Sequence, residues 1–230
     1  MTGLGYKKRV VIHDTTDYGK EHNKYFSQLL AKSSGQIVGT FGVTADQQDF
    51  TAELTKVKEL KPDVVYFGGF TPIGIRIRSQ MDKLGVKAVF EGTSGIKSAA
   101  FYEGLGKNLS EGSLSFIEGA PWEKLPGGLD FIARYNLAKY REPAEAYGPF
   151  AFAAANLIMD AVEKVGPDRT KVRDVLNKTK DVDTIIGKVT FDDHRQNVIP
   201  LITKYVVENG AWVVWEDSSY GKGKRKLAGL

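Results

Sequence analysis

The feature that most restricts this chain is an alternation. Through its first half, short β-branched apolar runs take turns with longer amphipathic stretches, the pattern of βα units feeding a parallel sheet. Val10–Ile12, Ile37–Val43, Val64–Phe67, Ala88–Phe90 and Ser113–Ile117 read as strands. Tyr18–Ser33, Phe50–Leu60, Ile73–Leu84 and a short run near Ser98–Leu105 read as helices. Leu54, Val57 and Leu60 recur at helical spacing, and Gly85 stands where a helix C-cap would put it. Four such units make one doubly wound α/β lobe.

The second half changes character. Helices are expected near Gly128–Tyr140, Pro149–Val165 and Arg169–Lys178, and strands near Lys188–Phe191, Leu201–Glu208 and Ala211–Trp215. Asn209-Gly210, between the last two strands, is a strong hairpin signal because both residues tolerate positive φ. The Pro149–Val165 helix is apolar nearly all round, with Phe150, Phe152, Leu157, Ile158, Met159 and Val162 spread over its circumference. It therefore calls for burial on more than one side.

Composition removes several function classes. With no cysteine among 230 residues, thiolate metal sites, cysteine nucleophiles and disulfides are excluded. The formal charge of +4 is matched by Lys222, Lys224, Arg225 and Lys226 alone, so the rest is neutral. A nucleic-acid partner is not expected, since that calls for a basic stripe on an ordered element, and the basic end reads as a solvated terminus. No apolar run approaches the roughly 20 residues of a membrane span. The opening MTGLGYKKRVVIHD has no apolar core of a secretory signal, so this chain is expected to stay where it is made.

Catalytic motifs are equally sparse. Gly92-Thr93-Ser94-Gly95 begins like a nucleophile elbow, but G-x-S-x-G needs glycine where Ile96 stands. His13, His22 and His194 form no recognisable triad with it. His13, Asp14 and Asp17 have the side-chain types of a metal or acid–base cluster, but a polar strand-to-helix loop with Asp17 near the N-cap accounts for them. No G-x-G-x-x-G or Walker A string occurs. No cofactor, no metal and no enzymatic activity are expected.

Five strings taken together resemble the branched-chain amino acid (Leu/Ile/Val) substrate-binding proteins of ABC transporters. They are Lys7 through Gly19, Thr44 through Thr51, Asp63 through Phe70, Phe90 through Gly95, and Tyr147 through Phe150 leading into an alanine-rich helix. Their order and spacing extend the similarity from about Lys7 to Trp215. The resemblance implies an α/β periplasmic-binding-protein type I fold: one doubly wound parallel-sheet lobe plus an incomplete second lobe, with ligand in the cleft at the strand carboxyl ends. It assigns 1–118 and 198–230 to the C-terminal ligand-binding lobe and 119–197 to a remnant of the first. On that mapping an opening half-lobe on the order of 120 residues is absent. It further implies a periplasmic or extracellular location, in conflict with the opening residues, a small-molecule ligand (a branched-chain amino acid or related carboxylate), and a membrane permease as partner.

The same resemblance implies that Tyr18, Phe70, Thr93, Ser94, Tyr147 and Phe150 bind ligand. Tyr18 would lie over the cleft mouth, with a rim aromatic covering the helix start as the alternative. Phe70 stands where the family usually has tyrosine, which makes the subsite more apolar, unless it only packs its loop. Phe150, beside Tyr147, is divided between cleft and core. Ser94 departs furthest, because the matching position commonly bears a carboxylate that pairs with the ligand ammonium, and serine supplies no charge. Glu91 is near in sequence but can point elsewhere. A carboxylate without an ammonium, such as an aromatic or aliphatic acid, then becomes an expected ligand class. A sensor domain on the same fold, or a flavodoxin-like enzyme using the Tyr18 and Ser94 loops, are the other readings.

Overall fold

The computed structural model describes residues 2–142, 144–198 and 202–227. Leu201, where a strand is expected to begin, and the outer bounds 1 and 230 of the expected C-terminal lobe lie outside them, as do residues 143, 199, 200, 228 and 229. The chain divides into two compact units, Met1–Ile117 with Thr203–Leu230, and Glu118–Ile202.

Unit 1 is the doubly wound part. In chain order it runs β1 (Lys8–Asp14), α1 (Asp17–Leu30), β2 (Gln36–Val43), α2 (Thr51–Leu60), β3 (Val64–Gly68), α3 (Thr71–Lys83), β4 (Val89–Gly92), α4 (Ala99–Ser110) and β5 (Leu114–Glu118). Each expected strand and helix of the first half is present, with ends displaced by a few residues. The largest displacement is α4, which continues to Ser110 past a kink at Gly106 (φ 73°). Glycine alone takes that φ without strain.

β1 to β5 pair in parallel. The sheet is completed by an edge hairpin, giving the order β2-β1-β3-β4-β5-β8-β9, with β8 Ile202–Glu208 and β9 Ala211–Val214. The hairpin turns on Asn209 (φ 57°) and Gly210 (φ 82°), the positive pair that a type I′ turn requires.

Strand alternation sorts the core onto two faces. On one, Val10, Ile12, Val65, Phe67, Phe90 and Val207 meet buried side chains of α2, α3 and α4, among them Leu54, Val57, Ile77, Met81 and Phe101. Phe101 is central there, stacked between Phe90 at 6.0 Å and Trp212 at 5.6 Å. On the other face α1 lies over β1 and β3, and a second cluster (Tyr6, Val64, Val89, Leu114, Val206, Tyr220 and Leu227) covers part of the remainder.

The basic end corrects the expectation of a solvated terminus. Arg225 makes an ion pair with Glu111 at 2.7 Å, the Tyr220 phenol donates to the same carboxylate at 2.9 Å, and the Ser219 N–H donates to Glu208 at 3.1 Å. The segment from residue 221 to residue 226 is exposed, but Glu111 and Glu208 tie its Arg225 and Tyr220 side chains and the Ser219 N–H to the rest of unit 1.

Unit 2 carries α5 (Gly128–Leu137), α6 (Gly148–Val165), α7 (Arg169–Leu176) and a two-stranded sheet of β6 (Val182–Thr184) and β7 (Gly187–Val189). Neither strand is long enough to show a period, which is why β6 went unread and β7 was expected further on, at Lys188–Phe191. The apolar helix α6 buries only Pro149, Ala153 and Ala161 among its described residues, and exposes Phe152, Ile158 and Met159. The all-round burial its composition calls for is not met.

Because Phe101 is fully buried between two rings, Phe101→Ala should lower the unfolding free energy by about 3–5 kcal/mol. Leu137→Ala, at a side chain 80% exposed, should change it by no more than about 0.5 kcal/mol. Urea unfolding of the two variants against the parent checks both.

Candidate functional site

Parallel pairing brings the carboxyl ends of β1, β3 and β4 to one edge, with His13 opposite Gly68 and Phe67 opposite Gly92. Tyr18, Phe70 and Ser94 each follow one of these ends by only a few residues.

The loop that carries Tyr18 is organised by Asp14, which is fully buried. Its Oδ1 accepts from the Thr16 N–H at 3.0 Å and from the Thr16 hydroxyl. Thr16 in turn caps α1, its Oγ1 accepting from the Gly19 N–H at 3.2 Å. The cap is thus Thr16, and Asp17 occupies the first turn. Gly19 is required sterically, since a Cβ there would strike the Asp14 carboxylate and carbonyl and stand 2.8 Å from the Gly68 carbonyl. Only glycine lets α1 start this close to both strand ends.

Phe70 follows the Gly68-Gly69 pair and is 44% exposed. Its ring stacks on Tyr18 with centroids 4.8 Å apart and planes 24° apart. The Tyr18 hydroxyl lies 3.3 Å from Ser94 Oγ. The structure therefore brings Tyr18, Phe70 and Ser94 together as an aromatic pair tied to a hydroxyl.

Thr93 has a different place. It is fully buried, its hydroxyl donating to the Gly69 carbonyl at 3.1 Å while its own carbonyl accepts from Ser115 Oγ at 2.9 Å. It braces the turn that carries Phe70. A second brace comes from Thr71, whose hydroxyl donates to the Gly95 carbonyl at 3.0 Å.

Tyr147 and Phe150 belong to unit 2 and are 6.5 Å apart, ring to ring. The Tyr147 phenol donates to Glu118 at 2.7 Å, and Phe150 lies so close to Gly119 that no Cβ could stand there.

Two groups near the Tyr18 ring escaped the sequence reading as site residues. His22 meets Tyr18 edge-on at 4.4 Å, and Phe116 lies 6.4 Å beyond His22. The spacing of four between Tyr18 and His22 puts them on one helix face, which was a usable signal; Phe116 gave none. Glu91, on the same sheet face as Tyr66, lines a groove with these residues. Burial pushes its carboxyl pKa above the ordinary range, and Arg9 pulls the other way. His13 turns Nδ1 to the Asp14 carbonyl at 2.8 Å. Among the described residues no three histidine or carboxylate side chains gather as metal ligands, and no helix is long and apolar enough to cross a membrane.

Gly19→Ala should destabilise unit 1 by about 1–3 kcal/mol through overpacking, whereas Gly3→Ala, with open space around it, should be neutral; chemical denaturation checks the pair. For Glu91 the raised folded pKa means that its contribution is fully present below the unfolded carboxylate value and is lost as pH rises through the folded one. Glu91→Gln should therefore gain stability over the parent between about pH 4 and neutrality, as read from melts across that range.

The sequence profile of the family described as "Periplasmic binding protein" matches residues 1–210. The Leu/Ile/Val-binding protein BraC3 of Rhizobium johnstonii is 30% identical over 192 residues, covering 81% of this chain and 50% of that protein. The chain spans about half the length of the curated relatives it matches. Among solved structures, the leucine binding protein LivK of Thermotoga maritima superposes with a TM-score of 0.82 at 25% identity, over 92% of this chain and 60% of that one. The LivJ substrate binding protein of Streptococcus pneumoniae, in complex with isoleucine, gives 0.78 at 23% identity, over 92% and 61%.

Proposed function

Because the chain belongs to the periplasmic binding protein family, we propose that it binds a small apolar solute at the strand-end edge of unit 1 and presents it, unchanged, to the permease of an ABC-type uptake system outside the cytoplasm. The observation that carries this reading is the meeting of Tyr18, Phe70 and Ser94 at the carboxyl ends of three adjacent parallel strands. Ligands of open α/β sheets bind at that edge.

The chemistry supports a particular kind of ligand. A half-exposed ring stacked on a second ring offers an apolar platform for an aliphatic or aromatic body. α1 and α3 both begin at this edge, so the positive ends of their dipoles favour a carboxylate there. Ser94 contributes a hydroxyl that hydrogen-bonds without charge. That combination suits a branched-chain amino acid or a related carboxylate, and the neutral Ser94 favours acids without an ammonium group over amino acids. For unit 2, taken by itself, Tyr147 and Phe150 are proposed as ligand contacts, and in unit 1 Thr93 is proposed to act through the turn it braces. Relatives named for leucine, isoleucine and valine binding support the same class.

Thermal melts with branched-chain amino acids, aromatic acids and short fatty acids test the proposal. One class should raise the midpoint, since a ligand present at about 100 times its Kd stabilises the folded state by about 2.7 kcal/mol. Phe70→Ala should weaken that ligand about tenfold or more, a loss above 1 kcal/mol typical of an aromatic contact residue, while leaving the ligand-free melt nearly unchanged. A cooperative melt that no compound shifts at millimolar concentration would refute the reading.

A further inference from the structure

Beyond β9, residues 215–227 form one 3-10 turn (Trp215–Asp217) and a run of turns and bends. Ser218, Tyr220 and Leu227 are nevertheless buried. Tyr220 and Leu227 join Tyr6, Val64, Val89, Leu114 and Val206 in one apolar cluster, with Trp215 packed against it. Val64, Val89 and Leu114 are the first residues of β3, β4 and β5, and Tyr6 stands just before β1. The segment therefore covers the sheet at its amino end, opposite the edge that carries Tyr18, Phe70 and Ser94. We propose that residues 215–227 are a clasp that opens and closes as a unit of its own, controlled by the carboxylates of Glu111 and Glu208, while β1, β3 and their carboxyl-end edge stay folded.

Glu111, directly after α4, is the main fastening. Its Oε1 accepts from the Tyr220 phenol at 2.9 Å and pairs with Arg225 at 2.7 Å, and its Oε2 accepts from the Asn209 N–H of the hairpin turn at 2.8 Å. One carboxylate thus joins α4, the β8–β9 turn and the clasp. Glu208, the last residue of β8, accepts from the Ser219 N–H at 3.1 Å and lies 3.8 Å from Arg225. Both carboxylates are largely shielded from water, so their charge-assisted bonds are stronger than surface pairs. Inside the clasp the bonds are local. The Lys224 and Arg225 N–H groups both donate to the Ser219 carbonyl, and the Arg225 guanidinium lies 4.7 Å over the Tyr220 ring, which makes these residues leave together.

A segment with few buried apolar side chains and local hydrogen bonds opens more readily than central strands. β1 and β3 are buried along nearly their whole length, whereas the clasp lends the cluster only Tyr220 and Leu227. The sign of the control follows from the carboxylates. Hydrogen bonds from Ser219 hold the Glu208 carboxyl below the ordinary range, with Arg225 and Lys222 acting the same way. A depressed folded value gives stability that is present above the unfolded carboxylate pKa and lost as pH falls through the folded one, so acid loosens the clasp. The Tyr220 phenol, pushed up to about 12 by burial and by Glu111, stays a donor throughout that range. The other charged groups near the clasp are Lys107 beside Gly210, the Lys204–Glu216 pair at 3.0 Å, and Asp217, and that pair is exposed on both sides and holds little.

Amide hydrogen exchange of the full chain at neutral pH, read residue by residue by NMR, tests the proposal. In the parent the Ser219 and Lys224 amides should exchange about a hundredfold or more faster, relative to their unprotected rates, than those of Val65–Phe67. Glu111→Gln, which mimics the protonated acid, and Arg225→Met, which keeps an apolar stem over Tyr220, should each speed the two clasp amides about tenfold or more and leave Val10–Ile12 and Val65–Phe67 at the parent rate. Equal protection of clasp and strands in the parent would overturn the proposal, because the segment would then open only with the whole of unit 1. So would variants that speed clasp and strands alike, or that leave the clasp unchanged, since the carboxylates would then not control it.

Discussion

The register of β1 against β3 and β4 is the constraint from which the rest follows. Arg9 through His13 pair with Val64 through Gly68, and Val64 through Phe67 with Val89 through Gly92. A slip of one residue would turn Val10, Phe67 and Phe90 out of the core and Tyr66 and Glu91 into it. With the register fixed, three strands end together, and three short loops deliver Tyr18, Phe70 and Ser94 to one place. Glycine then sets how closely those loops approach. Gly19 brings α1 against the ends of β1 and β3, and Gly95 approaches the Gly69 carbonyl where no Cβ could stand.

The same register separates two surfaces of unit 1. The strand-end edge is made of loop residues braced from beneath by two buried hydroxyls, Thr93 in the loop after β4 and Ser115 in β5. The α1 flank is made of side chains that alternate with the core, so its floor is whatever the strands turn away from α2, α3 and α4. Tyr18 belongs to both, touching Phe70 on one side and His22 on the other.

Much of unit 1 was legible because its signals are local. Strand and helix alternation, the C-cap glycine and the Asn209-Gly210 turn each act within a few residues, and each element of the first half falls where its pattern puts it. Tyr18 and Phe70 were legible as loop aromatics after strand ends, although the stacking of two residues 52 positions apart was not. What the sequence hid was long-range: Glu111, at the end of α4, holding Arg225 and Tyr220, and the groove lined by Glu91 and Phe116. Those depend on which strands become neighbours, and no period or turn signal encodes that. In unit 2, β6 and β7 are three residues each, too short for any alternation to register.

The central claim is that a solute meets this chain at the edge built by Tyr18, Phe70 and Ser94. Amide chemical-shift mapping of the ¹⁵N-labelled chain, titrated with isoleucine and separately with benzoate, tests it most directly. The account predicts saturable shifts concentrated in residues 16–19, 69–71 and 93–96 for at least one of the two. Shifts concentrated elsewhere in unit 1, or none up to millimolar concentration, would contradict it.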